Sequence, residues 1–341
     1  MKILVTGGAG YIGSVVTTQL LSTGHQVVVL DNLSHGYLEA VPTGAVFVKG
    51  DVGDPETTSA ILSEHSIEAV MHFAAFIEAG ESMLHPERYF RNNTAATLTL
   101  LEAMVQQNVK RLVFSSTAAV YAEPTNAQLH EEDPLRPANA YGESKLLVEQ
   151  MLKWFHRIHG LRYACLRYFN AAGAHGQQGE AHQPESHLIP LVLQVALGKR
   201  GSIQIYGGDY PTRDGTCVRD YIHVADLASA HVLALGALDR TSELIYNLGN
   251  GRGFTVREVI DVARRVTGHV IPAETVERRS GDAAVLVANS ATIQRELGWA
   301  PSHADLEMII GSAWEWQRAH PNGYESAAPD NRAQITSAPD R

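Results

Sequence analysis

A chain of 341 residues is long enough for two domains, or for one large domain with a smaller lobe. Its 45% of hydrophobic and 19% of charged residues are typical of a globular protein and argue against disorder, a collagen-like structure and a coiled coil. Because 37 acidic residues outweigh 27 basic ones, the net charge of −10 argues against a nucleic-acid partner, while a local arginine cluster could still bind a small phosphorylated ligand.

The first half of the chain alternates strand-like and helix-like segments. Runs rich in Val, Ile, Leu and aromatic residues predict strands at 2–6, 27–31, 45–49, 69–73, 111–116 and 162–168. Apolar residues at a spacing of three to four predict helices at 11–22, 55–65, 90–107 and 141–159. This alternation predicts an α/β fold with a Rossmann-type doubly wound parallel sheet, covered by helices on both faces.

The regular pattern stops near Asn170. The segments that follow are a long polar loop at 171–186, a helix at 188–198, a strand at 202–206, a turn region at 207–216, a helix at 224–238 and a strand at 244–248. We therefore divide the chain into a sheet domain over 1–170, to which 218–250 return, and a smaller C-terminal α/β lobe over 171–217 and 251–320. Residues 321–341 lack apolar periodicity, which predicts a flexible tail.

A glycine turn joins the first strand to the first helix. Gly7, Gly10 and Gly13 give the spacing G-x-x-G-x-x-G. Glycine permits a tight turn and a close approach of the backbone to a pyrophosphate, whose charge then lies at the positive end of the helix. The next strand ends in Asp31, where a carboxylate would accept hydrogen bonds from an adenosine ribose and repel a 2′-phosphate. The combination favours NAD over NADP, and a cofactor over a purely structural turn.

Two further strand ends are consistent with this cofactor. Asp51 and Val52 follow the third strand, where an acidic group could meet the adenine amine. The fourth strand is followed by Phe73, Ala74 and Ala75, and the two small alanines would let a cofactor pass close to the backbone. Each of these signals is weak by itself.

A tyrosine and a lysine share one face of a predicted helix. Tyr141 and Lys145 are four residues apart, so their side chains are neighbours on the helix surface. A phenol, with an ordinary pKa near 10, acts as a base near neutrality only if positive charge stabilises its phenolate, and a lysine ammonium and an oxidised nicotinamide would supply that charge. Thr117 ends a hydroxyl-rich strand upstream and could relay a proton to the same substrate oxygen. The structural alternative to this catalytic role is that Tyr141 and Lys145 are a surface pair on the helix and that the hydroxyl residues form only a capping cluster.

These motifs together resemble a known family. The glycine turn, the strand FSSTAAVY, the Tyr141–Lys145 pair and the segment LRYFNAAGAH are similar to the extended short-chain dehydrogenase/reductase family. Within it, DYPTRDGTCVRDYIHVADLA and ERRSGD resemble the branch of UDP-sugar 4-epimerases, over about residues 1–318. The resemblance implies an isomerase that interconverts UDP-glucose and UDP-galactose through a 4-keto intermediate. In that reaction Tyr141 removes the 4-hydroxyl proton and NAD is a transient oxidant.

The resemblance also implies site residues, with Tyr141, Lys145 and Thr117 as the catalytic set. The NAD contacts would be Gly7, Gly10, Tyr11, Ile12, Gly13, Asp31, Asn32, Leu33, Ser34, Gly36, Asp51, Val52, Phe73, Ala74, Ala75, Asn92, Thr117, Tyr141, Lys145 and Phe169. The nucleotide-sugar contacts would be Thr117, Tyr141, Asn170, His187, Leu188, Gln204, Ile205, Tyr206, Arg219, Arg279 and Asp282. Two arginines can neutralise a diphosphate, and Tyr206 can stack on uracil.

Several functions remain open beside this one. Leu286 replaces a bulky tyrosine found in some hexose-restricted relatives, which extends the expected substrates to UDP-N-acetylhexosamines. A UDP-pentose 4-epimerase, acting on UDP-xylose and UDP-arabinose, would use identical chemistry. A non-catalytic NAD sensor would not need Tyr141, Lys145 and Thr117 together. A 4,6-dehydratase is disfavoured, because Ala118 and Ala119 stand where it needs an acidic pair.

The remaining features concern location, metals and assembly. The apolar run at the amino terminus is too short for a signal-peptide core, and no stretch approaches the length of a membrane span. Cys165 and Cys217 have no paired neighbours, so we expect a cytoplasmic protein with no membrane partner and no metal. Helical apolar stripes lie at 98–105 and 146–151. They are typical of core, and the resemblance implies that part of this surface forms a homodimer interface.

Overall fold

The computed structural model describes residues 1–124, 126–279 and 282–324. The tail predicted over 321–341 lies outside the described residues from 325 onward. The strands are β1 (Lys2–Thr6), β2 (Gln26–Asp31), β3 (Val46–Lys49), β4 (Ala69–His72), β5 (Arg111–Thr117), β6 (Arg162–Tyr168), β7 (Asn170–Ala172), β8 (Ile203–Tyr206), β9 (Val218–His223), β10 (Glu243–Leu248), β11 (Gly253–Thr255), β12 (Ala273–Val276) and β13 (Val285–Leu286).

The helices follow the same order along the chain. They are α1 (Tyr11–Ser22), α2 (Pro55–Glu64), α3 (Ala79–Ser82), α4 (Pro86–Tyr89), α5 (Ala96–Gln106), α6 (Ala140–His159), α7 (Leu188–Ala196), α8 (Val224–Ala237), α9 (Val256–Thr267), α10 (Ala291–Leu297) and α11 (Leu306–Ala319). A π-helical turn, Phe90–Ala95, leads into α5. In the described part of the chain, no helix has the length and apolar character needed to cross a bilayer.

Seven parallel strands form the main sheet, in the order β10-β6-β5-β4-β1-β2-β3. The order reverses between β1 and β4, which pair directly, and this reversal is the point where doubly wound sheets bind ligands beyond the carboxyl ends of their strands. The predicted α/β fold class is confirmed. Each strand predicted in the first half is present within about one residue of its expected bounds, because each contains a run of apolar residues, which is buried in all of them except the edge strand β3.

The two faces of the main sheet have separate cores. Ile3 and Val5 of β1 point to the face covered by α1 and α8, while Leu4 points to the face covered by α2, α5 and α6. This alternation follows from the period of two along a strand. Because both faces are buried, the strands cannot slip in register without exposing apolar side chains, so the carboxyl ends are held in fixed positions.

The smaller lobe has its own core and its own sheets. Helices α7, α9 and α11 enclose a third hydrophobic cluster. In one sheet of the lobe β9 pairs with β7, β11 and β13, and in a separate two-stranded sheet β8 pairs with β12. The loop predicted over 171–186 therefore begins inside β7, which starts at Asn170. Within 218–250, β10 and α8 belong to the main sheet layer, whereas β9 belongs to the second sheet. The sequence pattern did not predict β9, because its Arg, Asp and His residues break the apolar run.

Candidate active site at the carboxyl ends of the sheet strands

The glycine turn after β1 forms the floor of the cleft. Gly7 has a left-handed backbone with φ of 71°, and a Cβ there would lie 2.5 Å from the backbone nitrogen of Ala74. A Cβ at Gly13 would lie 2.3 Å from the carbonyl oxygen of Gly7. Gly10 caps α1 without a side-chain hydrogen bond, so the positive end of the helix dipole is left for a ligand anion. Both close approaches require glycine.

Asp31 fixes the turn from the end of β2. Its Oδ2 accepts a hydrogen bond of 3.0 Å from the backbone N–H of Ala9, and its Oδ1 accepts one of 2.8 Å from that of Leu33. Burial raises the pKa of this carboxyl, and the two backbone hydrogen bonds oppose that rise. Each oxygen keeps a second lone pair, so the carboxylate can hold the turn and still accept a hydroxyl.

The next strand ends complete the same wall. Asn32 donates from Nδ2 to Oδ2 of Asp51 at 2.9 Å, which joins the end of β2 to the loop after β3. After β4, the buried amide of Asn93 accepts from the backbone N–H of Phe76 at 2.8 Å and donates to its carbonyl oxygen at 2.9 Å. Asn93 Nδ2 also lies 3.0 Å from Ser144 Oγ, so one side chain ties the β4 loop to α6.

Tyr141 and Thr117 are brought together by the start of α6 and the end of β5. Asn139 caps α6 by accepting from the backbone N–H of Gly142 at 2.8 Å, and this places Tyr141 in the first turn. Burial raises the pKa of Tyr141 to about 12, the negative charge of Glu78 adds to the rise, and the hydrogen bond with Thr117 opposes it. We expected Lys145 to lower this pKa. The groups of the chain itself have the opposite net effect, because burial of the phenol dominates.

Lys145 is buried one turn further along α6. Its Nζ donates to the carbonyl oxygen of Ser115 at 3.0 Å and lies 5.0 Å from the ring centroid of Phe114. Burial lowers the pKa of this ammonium to about 7. The lysine is therefore held at the end of β5 by a backbone bond, close to the boundary between its charged and neutral forms at physiological pH.

One cleft collects most of the predicted residues. Among the predicted cofactor contacts, it is lined by Gly7, Gly10, Tyr11, Ile12, Gly13, Asp31, Asn32, Ser34, Gly36, Asp51, Val52, Phe73, Ala74, Ala75, Asn92, Thr117, Tyr141, Lys145 and Phe169. Leu33 is not part of the lining, and only its backbone N–H contributes, through Asp31. Asn170 and His187, predicted to contact the sugar nucleotide, also line the cleft. The residues named for one site therefore share one cavity.

The other predicted substrate residues lie in the smaller lobe, outside this lining. They are Leu188, Gln204, Ile205, Tyr206, Arg219, Arg279 and Asp282. Ile205 contributes its side chain to the core of that lobe, so its side chain is not free to contact a ligand.

The polar members of this group bind one another. Arg279 stacks on the ring of Tyr206 at 3.7 Å from the centroid, and the Tyr206 hydroxyl donates to Gln204 Oε1 at 2.8 Å. Arg219 Nη2 lies 3.5 Å from Asp282 Oδ1, and its Nη1 donates to the carbonyl oxygen of Ala283 at 2.8 Å. An aromatic ring and two guanidinium groups are thus held on one lobe, a combination suited to a base and a diphosphate.

Comparison with known proteins identifies the family of this chain. The model of the NAD dependent epimerase/dehydratase family matches residues 3–249, which include the glycine turn, Thr117, Tyr141 and Lys145. The chain belongs to this family.

Relatives within the epimerase/dehydratase family match almost the whole chain. The UDP-glucose 4-epimerase of Halalkalibacterium halodurans is 52% identical over 335 residues, which are 97% of this chain and 100% of the relative. Crystal structures of UDP-glucose 4-epimerases from Brucella ovis with NAD and from Bifidobacterium longum with NAD+ and UDP are 42% and 38% identical. Their TM-scores are both 0.90, and they cover 94% and 95% of this chain and 98% and 100% of their own chains. The resemblance to this branch is confirmed.

The cleft of this family member also contains residues that the sequence did not single out. They are Leu30, Gly50, Phe76, Glu78, Ala96, Tyr168, Ala171 and Glu180. Tyr168 hydrogen-bonds Ser115 across β5 and β6, and its position at the end of a buried strand could have indicated it. Glu78 and Glu180 lie in irregular segments, where periodicity carries no signal for a side chain that turns into a cleft.

Proposed function

We propose that this chain catalyses the NAD-dependent interconversion of UDP-glucose and UDP-galactose by epimerisation at C4. The observation that carries the proposal is the meeting of Tyr141, Thr117 and Lys145 in the same cleft as the glycine turn and Asp31. A dinucleotide fits these residues, because Gly10 leaves the positive end of α1 uncapped for a pyrophosphate and Asp31 keeps free lone pairs for ribose hydroxyls. Membership of the family and the relatives' near-complete coverage support the same activity.

Tyr141 acts as the proton acceptor and donor in this proposal. It takes the proton of the sugar 4-hydroxyl, with Thr117 as relay, and a 4-keto sugar forms. When bound, NAD supplies the acceptor and later the donor of the hydride, together with the positive charge that a phenol of raised pKa needs to ionise. Rotation of the 4-keto sugar exposes its other face, and Tyr141 then returns the proton. The result is inversion at C4 without net oxidation.

Lys145 and the cofactor contacts hold the reactants in this proposal. Lys145 has one ammonium hydrogen bonded to the Ser115 carbonyl oxygen and can direct the others to the nicotinamide ribose. The glycine turn and Asp31 bind the pyrophosphate and the adenosine ribose. The other lining residues named above contact NAD through surface that is buried on binding.

The smaller lobe binds the nucleotide of the substrate. Arg219 and Arg279 neutralise the diphosphate, Tyr206 stacks on uracil and Asp282 accepts a ribose hydroxyl. These groups already lie in pairs before a ligand arrives, Arg279 on Tyr206 and Arg219 beside Asp282. Asn170 and His187 line the cleft, Leu188 follows His187 at the start of α7, and we assign these three residues to the sugar.

The sugar pocket admits an N-acetyl group. Leu286 belongs to β13 and packs, partly buried, in a cluster with Phe169 and Tyr121. Phe169, which packs against the same cluster, lines the cleft. A leucine is smaller than a tyrosine, and the difference favours turnover of UDP-N-acetylglucosamine in addition to UDP-glucose.

The protein acts as a cytoplasmic homodimer in this proposal. Leu147, Met151, Trp154 and Ile158 follow one another at helical spacing on α6, and Trp154 and Ile158 are 60% and 66% exposed. Leu98 on the neighbouring α5 is 38% exposed. An apolar stripe on two adjacent helices fits a symmetric helical interface. Sedimentation of the wild type and of Trp154→Glu tests this, and a wild-type monomer at micromolar concentration contradicts it.

Incubation of the purified protein with UDP-galactose tests the main proposal, with UDP-glucose followed by chromatography. We expect an equilibrium mixture of the two sugars without added NADH. The same assay with UDP-N-acetylglucosamine and UDP-xylose defines the pocket. Preference for UDP-xylose would favour a pentose epimerase, and bound NAD with no turnover of any sugar would favour a sensor.

A further inference from the structure

Four metal-binding side chains converge on the rim of the cleft, within eight residues of sequence. Glu180, His182, Glu185 and His187 each offer one ligand atom, and these atoms all lie within 4.8 Å of one another. In the described part of the chain this is the single group of three or more such residues with that geometry. The spacing Glu-x-His-x-x-Glu-x-His places all four on the segment that links β7 to α7.

Two carboxylates compete for one imidazole nitrogen in this cluster. His187 Nδ1 lies 2.8 Å from Glu180 Oε1 and 2.9 Å from Glu185 Oε1, and Glu180 Oε1 also lies 3.1 Å from His182 Nδ1. An imidazole Nδ1 carries at most one hydrogen, so His187 cannot donate well to both carboxylates. A cation at the centre would satisfy both imidazole nitrogens and both carboxylates at once.

The charge and burial of the cluster also favour a divalent cation. The side chains of Glu180 and Glu185 are 7% and 6% exposed, and a divalent ion held between them would neutralise the charge of two buried carboxylates. His182 and His187 are 19% and 40% exposed, which leaves a path for an ion to enter. Glu185 Oε1 accepts from the backbone N–H groups of Ser186 and His187, both at 2.8 Å, and these bonds orient the carboxylate as outer partners do in metal sites.

We propose that Glu180, His182, Glu185 and His187 bind one Zn²⁺ ion. Two imidazole nitrogens and two carboxylate oxygens suit zinc, whereas magnesium and calcium prefer oxygen ligands alone. Ligand atoms about 2.1 Å from a tetrahedral zinc ion lie about 3.4 Å apart. The widest pair here therefore has to close by at most about 1.4 Å, and the three pairs at 2.8, 2.9 and 3.1 Å have to open by about 0.3–0.6 Å. This site is contrary to the expectation of no metal, because spacing on an irregular segment gives no recognised motif.

The ion would brace the segment that forms one side of the cleft. Glu180, His182 and His187 all line the cleft, and the segment is already anchored by Tyr37, whose hydroxyl donates to the Ala181 carbonyl oxygen at 2.8 Å. Zinc joins the middle of this segment to His187, the residue that precedes α7. Its role is to position His187 and Leu188, and this part rests on the proposed function.

Metal analysis of tag-free protein tests the site. The protein is expressed with zinc in the medium and dialysed, and zinc is counted by mass spectrometry of the holoprotein. We expect about one zinc per chain in the wild type. His182→Ala and Glu180→Gln should lose zinc on dialysis, because removal of a ligand should lower the affinity at least about 100-fold when even an outer partner contributes about 10- to 100-fold. His85→Ala is the matched control, because His85 pairs with Glu87 at 3.8 Å on the surface without further ligands. It should keep the metal.

A second measurement guards against variants that fail to fold. Wild-type protein stripped with a chelator is titrated with Co²⁺ and with Zn²⁺, while the visible spectrum and the melting temperature are followed. We expect a tetrahedral Co²⁺ spectrum, its loss on addition of zinc, and a higher melting temperature with either ion. A wild type with no zinc, no spectrum and no thermal shift would overturn the proposal, as would His182→Ala that retains full metal content. These readouts do not depend on turnover, so failure of the epimerase assay leaves them unaffected.

Discussion

The glycine-turn wall of the cleft and the smaller lobe prepare for a ligand in different ways. In the wall, Gly7, Gly13 and Asp31 are held by backbone contacts and hydrogen bonds, so the binding surface has a single geometry before a ligand arrives. In the lobe, Arg279 rests on Tyr206 and Arg219 faces Asp282, so side chains that would meet the ligand are paired with one another.

The wall and the lobe therefore differ in how much free energy is lost when a ligand binds. A fixed backbone turn loses little conformational entropy when a pyrophosphate binds, which favours a cofactor that stays bound through many turnovers. Paired side chains must exchange partners to meet a diphosphate, which lowers the net gain and favours a substrate that leaves. Changes in the wall should therefore affect chemistry or folding, and changes in the lobe should affect the substrate KM.

Loss of the Tyr141 hydroxyl is the largest expected effect. Tyr141→Phe removes the proposed base but leaves the turn and Asp31 intact, so kcat should fall by at least about 100-fold while NAD stays bound. Tyr168→Phe is the matched control, because Tyr168 lines the same cleft and hydrogen-bonds Ser115. Epimerisation rates and NAD released on denaturation are the measurements. Turnover close to wild type in Tyr141→Phe would refute the assignment of the base.

The next effect is on the buried ion pair that joins β5 and β6 to α6, the elements that carry Thr117 and Tyr141. Glu149 accepts from Arg167 in a buried pair, with 2.6 Å between Glu149 Oε2 and Arg167 Nη2, and its Oε1 accepts from Ser116 Oγ at 2.6 Å. Glu149→Gln leaves a buried guanidinium without its counter-charge, so the free energy of unfolding should fall by about 3–5 kcal/mol.

An exposed ion pair provides the control for that change. Glu307 pairs with Arg265 at 2.9 Å, and both side chains are more than half exposed. Glu307→Gln should lower the free energy of unfolding by less than about 1 kcal/mol. Urea denaturation of both variants gives the comparison, and equal losses would contradict the view that the buried pair braces β5, β6 and α6.

A smaller effect is expected in the lobe. Arg279→Met should raise the KM for UDP-galactose by about 10- to 100-fold with little change in kcat, since a charge-assisted hydrogen bond contributes about 1.5–3 kcal/mol. Arg278→Met is the control: this neighbour stacks on Tyr210 at 4.0 Å and pairs with Asp209. A loss of kcat in Arg279→Met at saturating substrate would place the arginine near the reacting carbon instead.

The last effect concerns acid stability of the sheet. His72 lies between Thr6 Oγ1 at 2.6 Å and Thr97 Oγ1 at 2.8 Å, and burial, with a further contribution from the charge of Lys145, lowers its pKa to about 3. Between pH 6.5 and about 3 the unfolded chain binds a proton at this residue that the folded chain does not, so stability falls as the pH falls through that window. The slope is at most about 1.4 kcal/mol per pH unit for this group.

Comparison with a neutral amide isolates the contribution of His72. His72→Gln cannot be protonated in this range, so its free energy of unfolding should change less between pH 6.5 and pH 4 than that of the wild type. Chemical denaturation at several pH values measures the slope. An unchanged slope in the variant would assign the acid sensitivity to other buried groups, such as His231, whose pKa burial lowers to about 4.

Sequence alone was sufficient for the sheet half of the molecule. The strands predicted there contain apolar runs, the turn needs glycine at fixed positions, and Tyr141 and Lys145 are neighbours on a helix, so each signal is carried by residues close together in the chain. The sequence predicted the smaller lobe less well, because β9 contains Arg219, Asp220 and His223 and shows no apolar strand pattern.

The tertiary structure decided what depends on contacts between distant residues. Burial makes the pKa of Tyr141 rise rather than fall, Arg279 pairs with Tyr206, and four ligand atoms on an irregular segment converge at the cleft rim. Desolvation and side-chain convergence arise from packing between segments far apart in sequence or without periodicity, so no local pattern encodes them. The local sequence therefore determined the sheet fold and the identity of the reactive groups, whereas the pKa values and side-chain contacts of those groups followed from their packed environment.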